Sequence, residues 1–455
     1  MRILLVATAA WLAAGCATGP ATVAPPGAST HAAASIERAN NVIFLVGAGM
    51  GINTLTAARI YSVGEAGELA IDKLPESAFV KTWSRDSQVT DGAAAMSAYM
   101  TGVKADNGVV SMAACAPAPV RPAATLAELA RAQGRAVGLV TTSRVTDATP
   151  AAVYAHICAR AHENDIAASL ADSRLDVVLG GGTKAFLPAA SGGTRTDGRD
   201  LLLDMRRQGT RILTDTTQLA RLVPQVNLPV LGLFAPGDMD VDAERDAARQ
   251  PGLAEMTKSA IAVLSARPNG FFLVVEGGGI DRALHASRAK RALQETVAFN
   301  GALQTAIDQM QLVDPGLKNT LIVATADHDS TLVINGYSPR TGATSATNPG
   351  VLGLVRNVGD NRLRLDQDGM PYPILGFGNG EHRIDGSRAS APALTDTATS
   401  ADGYRQEAAI RMPPGAATNS GNDVYLGAIG AGADTFYGTI DNTRVFGLIR
   451  AATGW

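Results

Sequence analysis

One segment of the 455-residue chain carries three side chains of types that commonly bind metal ions. Residues 271–285 read FFLVVEGGGIDRALH. Glu276 ends the apolar run, and Asp281 and His285 stand four residues apart, a spacing that places both on one face of a helix. Carboxylate oxygen and imidazole nitrogen are donors that zinc accepts. The segment predicts a zinc-like site, with a hydrogen-bonded surface pair as the alternative.

A second segment offers the same donor types directly after another apolar run. Residues 320–328 read TLIVATADH, so Asp327 and His328 follow what reads as a buried strand. The chain has only six histidines, and two of them therefore stand close to a carboxylate beyond a strand end. Because functional side chains of parallel sheets gather at the carboxyl ends of strands, we expect the two segments to converge on metal ions.

A third segment combines polar ligands with a cation. Residues 142–160 read TSRVTDATPAAVYAHICAR. Asp147 and Thr149 precede a proline that suits the first turn of a helix, so one interpretation is a simple helix start. Arg160 is either a surface charge or a group that binds phosphate through two parallel hydrogen bonds. The segment therefore adds a candidate anion-binding side chain to the candidate metal ligands.

The stretch 89–108, VTDGAAAMSAYMTGVKADNG, predicts a helix start that can hold an anion. Asp91 and Gly92 run directly into an alanine-rich helical segment, so backbone N–H groups near Gly92 lie at a helix N-terminus. An aspartate in this position is also a common N-cap, and that role alone would explain the turn.

The elements that must position these residues alternate between apolar runs and helical patterns. The predicted strands are Asn41–Gly47, Phe79–Ser84, Ala136–Thr142, Val177–Gly182, Val230–Phe234, Phe271–Val275 and Thr320–Thr325. The predicted helices include Ala123–Arg135, Ala254–Ala266 and Ser287–Met310. The alternation predicts an α/β fold with a mainly parallel central sheet and helices on both faces. Residues 331–401 lack helical periodicity and are rich in Gly, Ser, Thr, Asn and Pro, which predicts a small β-rich insertion.

Composition and charge indicate a globular protein. Hydrophobic residues make up 46% of the chain and charged residues 18%, which suits one large domain over residues 36–455. The formal net charge is −3 and there is no long basic run, which argues against nucleic acid as the main partner.

The N-terminal residues predict export. Residues 1–15 read as a signal peptide and residues 16–35 as a flexible tether. The run LAAGC, ending at Cys16, resembles a bacterial lipoprotein cleavage site, which predicts a periplasmic or outer-membrane protein with a lipid anchor on Cys16. An ordinary signal peptide with an incidental cysteine is the alternative. In that oxidising compartment Cys115 and Cys158 either pair or stay unpaired and buried, and we expect them to be unpaired.

Seven segments together resemble the alkaline phosphatase family, from about Asn41 to the C-terminus. In the family's order they are NVIFLVGAGMG, VTDGAAAMSAYMTGVK, DATPAAVYAHICAR, DVVLGGG, VLGLFAPGDMD, FFLVVEGGGID and TLIVATADH. The resemblance implies a phosphate monoester hydrolase with two zinc ions and a nearby magnesium ion. In such a site a helix-terminal serine attacks phosphorus, and zinc-bound hydroxide then cleaves the phosphoseryl intermediate. It also implies a homodimer, and residues 331–401 as a crown-like insertion.

The resemblance implies a role for each candidate residue. Asp281 and His285 correspond to two ligands of the first zinc, and Asp327 and His328 correspond to two ligands of the second. Glu276 and Thr149 correspond to magnesium ligands, and Arg160 to the phosphate-binding arginine. Asp147 stands at the family's spacing from Arg160 and is a further candidate ligand.

Three positions depart from the family pattern. Ala48 replaces the aspartate that bridges the second zinc and the magnesium, and Asn419 replaces a histidine ligand of the first zinc. Gly92 occupies the position of the nucleophile, so no catalytic side chain is predicted there. Losing even a supporting partner of a metal ligand costs roughly 10–100-fold in metal affinity or activity, so we expect larger losses from these changes.

These departures lead to two hypotheses. The first is an exported alkaline phosphatase homologue with weak or no hydrolytic activity, which retains binding of inorganic phosphate or a phosphate ester at Arg160 and Gly92. The second is an active metal-dependent phosphomonoesterase or phosphodiesterase that uses metal-bound water as its nucleophile, with Asp91 or Asp147 as a replacement ligand.

Overall fold

A computed structural model describes residues 38–226 and 228–455 of the chain. The predicted signal peptide, the tether and Cys16 lie outside these residues. Among the helices of the described part, none combines the length and the apolar character needed to cross a bilayer.

The described residues form strands and helices that alternate along most of the chain. The strands are β1 (Asn41–Gly47), β2 (Glu76–Lys81), β3 (Met112–Ala114), β4 (Arg121–Pro122), β5 (Ala136–Arg144), β6 (Val177–Gly181), β7 (Arg211–Leu213), β8 (Val230–Leu233), β9 (Phe271–Gly277), β10 (Thr320–Ala326), β11 (Leu332–Ile334), β12 (Leu375–Gly380), β13 (Ala408–Arg411), β14 (Val424–Gly430) and β15 (Gly438–Asp441). The helices are α1 (Ile52–Val63), α2 (Gly92–Thr101), α3 (Leu126–Ala132), α4 (Ala148–Ala151), α5 (Glu163–Ser173), α6 (Leu201–Arg207), α7 (Thr216–Ala220), α8 (Leu253–Ser265), α9 (Gly279–His285), α10 (Ala289–Val313), α11 (Asp396–Thr399) and α12 (Asn442–Thr453).

Ten strands make one large sheet in the order β15-β2-β14-β10-β1-β9-β5-β6-β8-β7. All neighbours from β10 to β7 are parallel, whereas β14 is antiparallel to both β10 and β2. Every residue of β9 and β10 is buried, although successive side chains point to opposite faces. Both faces are therefore covered, which explains why these strands read as continuous apolar runs. The predicted α/β fold with a mainly parallel sheet is confirmed.

Most predicted elements are present with small shifts at their ends, and β2 shows one of the largest errors. It covers Glu76–Lys81 rather than Phe79–Ser84, because pairing with β14 ends at Val80 and pairing with β15 ends at Lys81. Beyond this point the backbone N–H of Ser84 donates to the carbonyl of Ser87, which closes a turn.

A second sheet of three strands, β11-β12-β13, follows β10. Strand β11 is antiparallel to β12, and β12 is parallel to β13. The sheet therefore continues to Arg411, beyond the end of the low-periodicity region at residue 401, and the chain returns to the main sheet at β14.

Cys115 and Cys158 form a disulfide, so the expectation that they are unpaired was wrong. Their Cα atoms lie 5.8 Å apart although 43 residues separate them along the chain. Two backbone hydrogen bonds between Val110 and Ile157 bring the two segments together. This contact is invisible in the sequence because both segments lie outside the predicted strands.

Candidate functional site

The strand ends of the sheet centre place the candidate residues side by side. Gly47 of β1 is in register with Gly277 of β9 and with Ala326 of β10, so the three strands end at the same level. The residues at or just beyond these ends, Ala48, Glu276 and Asp327, therefore face one space.

This space is a cavity of about 280 Å³. All the residues that the sequence proposed for the site line it, namely Ala48, Gly92, Asp147, Thr149, Arg160, Glu276, Asp281, His285, Asp327, His328 and Asn419. The structure thus brings residues from six separate segments together.

Gly92 is the first residue of α2 and leaves no room for a side chain. Asp91 caps the helix, since its Oδ1 accepts a hydrogen bond from Ala94 N at 2.9 Å. A Cβ atom built on Gly92 would lie 2.8 Å from Thr149 Oγ1 and 3.1 Å from Asp327 Oδ2. A side chain at residue 92 would therefore require these two neighbouring side chains to shift.

Arg160 is held at this helix start by two carboxylates. Its Nη1 donates to Asp91 Oδ2 and its Nη2 to Asp147 Oδ1, each at 3.0 Å. Burial raises the pKa of Asp147, but Arg160 and Arg144 outweigh burial, so that the pKa lies below its ordinary value. The guanidinium remains about one-third exposed and faces the cavity.

Asp327 and His328 present one donor atom each to the cavity. Asp327 Oδ1 accepts hydrogen bonds from the backbone N–H groups of Gly49 and His328, both at 2.9 Å, whereas Oδ2 has a long contact of 3.5 Å with the hydroxyl of Thr149. His328 Nδ1 lies 3.2 Å from the carbonyl of Asp329, so Nε2 points toward Asp327 Oδ2 at 3.5 Å. Histidines that bind metals commonly donate their other N–H in this way. Burial raises the pKa of Asp327.

Asp281 and His285 form the corresponding pair on α9. His285 Nε2 lies 3.4 Å from Asp281 Oδ1, which is buried and has no hydrogen-bond partner. His285 Nε2 also lies 3.0 Å from the amide oxygen of Asn419, a distance at which its N–H donates to that oxygen. Asn419 is fixed in turn because its Nδ2 donates to the carbonyl of Thr90. A metal ion at His285 Nε2 would have to displace this proton.

Glu276 is fully buried between β9 and the neighbouring strand β5. The hydroxyl of Thr141 donates to its Oε2. Burial, together with the nearby charge of Asp147, raises the pKa of Glu276 to about 8, and the Thr141 hydrogen bond offsets part of this rise. Thr149 Oγ1 lies 3.5 Å from Asp327 Oδ2, and the methyl group of Ala48 completes this corner without a ligand.

The loop after β1 is closely packed just beyond Ala48. Gly49 has a φ of +65°, and a Cβ atom there would lie 2.6 Å from Asp281 Oδ1. A Cβ atom on Gly51 would overlap Asp329 Oδ1 at 1.5 Å. Both glycines are therefore required by close approach of acidic side chains, whereas Ala48 points into the cavity.

Arg282 and Ser143 also line the cavity, although neither was predicted from the sequence. Arg282 Nη1 donates to Ser143 Oγ at 2.9 Å, and Nη2 donates to the carbonyls of Thr142 and Met239. The signal was available for Arg282, which directly follows a candidate ligand at the start of a helix.

The donor atoms fit metal ions only in part. Within residues 38–226 and 228–455, no three His, Cys, Asp or Glu side chains are arranged to hold one ion. The donor pairs Asp281–His285 and Asp327–His328 have the chemistry of zinc sites, and the orphaned Asp281 Oδ1 suits a bound cation. Glu276 and Thr149 could offer two ligands to a further cation, but the side chain of Ala48 offers no third one. The residues present therefore fit a cation with two side-chain ligands at each Asp–His pair.

Comparisons with known proteins agree with this fold. A family model described as alkaline phosphatase matches residues 39–455. The tissue-nonspecific alkaline phosphatase isozyme of Gallus gallus is 35% identical over 453 residues, which cover 90% of this chain and 83% of the relative. A membrane-bound alkaline phosphatase of Bombyx mori is 33% identical, over 90% of this chain and 78% of the relative.

Solved structures show the same fold. The alkaline phosphatase of Thermus thermophilus superposes with a TM-score of 0.67 at 24% identity, over 95% of this chain and 96% of that one. The alkaline phosphatase of the Antarctic bacterium TAB5 gives a TM-score of 0.65 at 23% identity, over 92% and 99% of the two chains. Members of this family use zinc and magnesium and act on phosphate monoesters. With a family model over nearly its whole length and relatives above 30% identity, this chain belongs to the alkaline phosphatase family.

Proposed function

We propose that this protein binds inorganic phosphate or a phosphate ester on an alkaline phosphatase scaffold and has little or no phosphoseryl-forming activity. The observation that carries the proposal is Gly92. Glycine has no atom that can attack phosphorus, and the place of a side chain there is taken by Thr149 and Asp327. Hydrolysis through a seryl intermediate therefore has no starting nucleophile.

Binding of an anion does not require a nucleophile, and the groups that would bind it are present. The α2 N-terminus supplies backbone N–H groups, and Asp91 leaves the N–H groups of Gly92 and Ala93 without side-chain caps. The Arg160 guanidinium lies at the same cavity and is well suited to phosphoryl oxygens. An arriving anion competes with Asp91 and Asp147 for this guanidinium, so we expect moderate rather than tight binding.

Metal ions would bind at the two Asp–His pairs, and Glu276 with Thr149 would supply a weaker third position. When bound, such cations supply positive charge that attracts phosphoryl oxygens. The chain itself orients the ligand through Arg160 and the α2 N-terminus. Loss of the ligands at Ala48 and Asn419 predicts metal affinities well below those of a complete site.

The test compares turnover of a chromogenic phosphate monoester by the unmodified chain and by the triple variant Gly92→Ser, Ala48→Asp, Asn419→His, with zinc and magnesium present. We expect no turnover above the metal-containing buffer for the unmodified chain and a gain of at least about 100-fold for the triple variant. The matched control carries Gly92→Ala with the other two changes, because it adds the Cβ atom without the hydroxyl. Equal turnover by the unmodified chain and the triple variant would contradict the proposal.

Hydrolysis with water as nucleophile is the second candidate function. The survival of both Asp–His pairs favours it, because these residues do not depend on Gly92. In that case the unmodified chain turns over phosphate monoesters or diesters, and His328→Asn abolishes the activity. Turnover that survives His328→Asn would point to a contaminating phosphatase instead.

Export, a lipid anchor on Cys16 and a homodimer complete the proposal. They rest on the N-terminal sequence pattern and on the family, which includes a relative named as membrane-bound. Fractionation of cells that express the chain or its Cys16→Ser variant tests the anchor, since only the unmodified chain should stay with membranes. Light scattering of the purified protein tests the dimer.

A further inference from the structure

We propose that the Cys115–Cys158 disulfide positions Arg160 and thereby sets the affinity of the site for phosphate. The inference rests on the proposed anion binding at Arg160 and α2. Cys158 lies two residues before Arg160, on the segment that leads from α4 to α5. Cys115 lies just after β3, outside the cavity. Neither cysteine lines the cavity, so any effect on phosphate must act through the residues that the disulfide holds in place.

The backbone that carries Arg160 is held mainly by one neighbouring segment. Arg160 N donates to the carbonyl of Gly108 at 2.8 Å, and Val110 and Ile157 exchange two backbone hydrogen bonds. No helix or sheet strand includes residues 152–162, and besides these backbone bonds the segment is held by side-chain hydrogen bonds, such as those from Ser111 Oγ to the Ala152 carbonyl and from Thr125 Oγ1 to the Val153 carbonyl. The disulfide adds the one covalent link between the two segments.

The same neighbouring segment also contacts the start of α2. Gly108 N donates to Asp91 Oδ2 at 2.9 Å, the oxygen that accepts from Arg160 Nη1. The peptide groups of Gly108 thus connect Arg160 to the helix N-terminus on which an anion would bind. Displacing the segment with Arg160 therefore changes the distance between the two anion-binding elements.

Solvent exposure makes this link testable in the folded protein. Cys158 is exposed and Cys115 is half-buried, so a small dithiol reagent can reach the bond. Without the disulfide, the hydrogen bonds between the two segments can break locally, and Arg160 then moves to positions away from the cavity. The apparent affinity for an anion falls in proportion to the fraction of molecules that keep the binding geometry.

The experiment measures binding of inorganic phosphate by calorimetry, with zinc and magnesium held constant. All chains carry Cys16→Ser, so that no third thiol can exchange. We expect the Cys115→Ser, Cys158→Ser variant to bind phosphate about tenfold more weakly than the oxidised parent, as a fall to a tenth of competent molecules predicts. In an Arg160→Ala background, removing the disulfide should cause no further loss. A loss of equal size in both backgrounds overturns the proposal, because it shows a general structural effect.

Two measurements separate the causes. Leu213→Ala, in β7 at the opposite end of the sheet, controls for loss of stability and should leave phosphate affinity unchanged. Hydrogen exchange of residues 155–161 should become faster when the disulfide is removed, whether or not phosphate binds. If the oxidised parent binds no phosphate, the proposed function fails. Unchanged exchange of this segment overturns the positioning role independently.

Discussion

The cavity has two walls that differ in how their charges are satisfied. The anion wall, formed by Asp91, Gly92, Asp147 and Arg160, pairs its one cation with two carboxylates, and each carboxylate also accepts backbone hydrogen bonds. The cation wall is formed by Glu276, Asp281, His285, Asp327 and His328. Its three carboxylates have no Lys or Arg hydrogen bond, and Asp281 Oδ1 has no hydrogen bond at all.

The difference follows from the residues that stand in each wall. On the anion wall, Gly92 has no side chain, and a Cβ atom there would approach Thr149 Oγ1 and Asp327 Oδ2 closely. On the cation wall, buried carboxylates with raised pKa values still favour a positive charge that the protein alone does not supply. The charged groups of the anion wall therefore have partners within the protein, whereas the carboxylates of the cation wall have no Lys or Arg partner and would gain one charge partner from a bound cation.

The largest expected effect comes from removing a candidate metal ligand of the cation wall. His328→Asn removes one of two side-chain ligands at its pair, so we expect zinc affinity to fall at least about 100-fold. The rise in melting temperature on adding zinc reports this affinity, because a ligand that binds only the folded state stabilises it. His162→Asn, at an exposed histidine outside the cavity, is the matched control. The same zinc-induced rise in both variants would contradict a metal site at His328.

The next largest effect comes from removing the arginine of the anion wall. Arg160→Ala removes two charge-assisted hydrogen bonds to a bound phosphate, so we expect phosphate affinity to fall about 10–100-fold. Zinc affinity should change much less, because Arg160 is not among the candidate ligands. Arg356→Ala is the control, since that arginine has similar exposure and also pairs with an aspartate, Asp396. If calorimetry finds equal losses of phosphate affinity in both variants, the anion wall does not bind phosphate.

The smallest expected effect is a pH dependence of the free energy of unfolding that originates in the cation wall. The pKa of Glu276 is about 8 in the folded protein and about 4.5 when unfolded, so between these values the folded state holds a proton that the unfolded state has released. The free energy of unfolding of the metal-free protein should therefore fall as pH rises through this window, by on the order of 1 kcal/mol between pH 6 and pH 7. Above about pH 8 this contribution stops changing.

Glu276→Gln should remove this part of the pH dependence, which denaturant titrations at pH 6 and pH 7 can measure. Glu295→Gln provides a comparison, because burial also raises the pKa of Glu295 but this residue does not line the cavity. Adding magnesium and zinc should reduce the slope of the parent chain and leave the contribution of Glu295 unchanged. An unchanged slope in Glu276→Gln would show that this carboxyl ionises as freely in the folded protein as in the unfolded one.

The strands of the sheet centre were predictable because their burial leaves a direct trace in the sequence. A strand covered on both faces must be apolar throughout, as β1 and β10 are, and polar residues then mark its end. Helix ends were less accurate. α3 begins at Leu126 rather than Ala123, because Thr125 and Glu128 form a capping box at this point.

The site was largely predictable as a set of residues, and its internal contacts were not. Parallel strands end together, so motifs at their ends converge. The hydrogen bond between His285 and Asn419, 134 residues apart, and the closing of Thr149 around Gly92 depend on side-chain positions that no spacing encodes. The Cys115–Cys158 pairing was missed for the same reason.

The glycines that follow Ala48 bear on how this protein could change during evolution. Because acidic side chains approach Gly49 and Gly51 closely, the backbone of the loop keeps its shape and variation there is confined to the side chain at residue 48. A carboxylate at that position needs no new backbone path, whereas a side chain at Gly92 first requires Thr149 and Asp327 to move. Placing a carboxylate at residue 48 should therefore need less rearrangement than placing a side chain at residue 92.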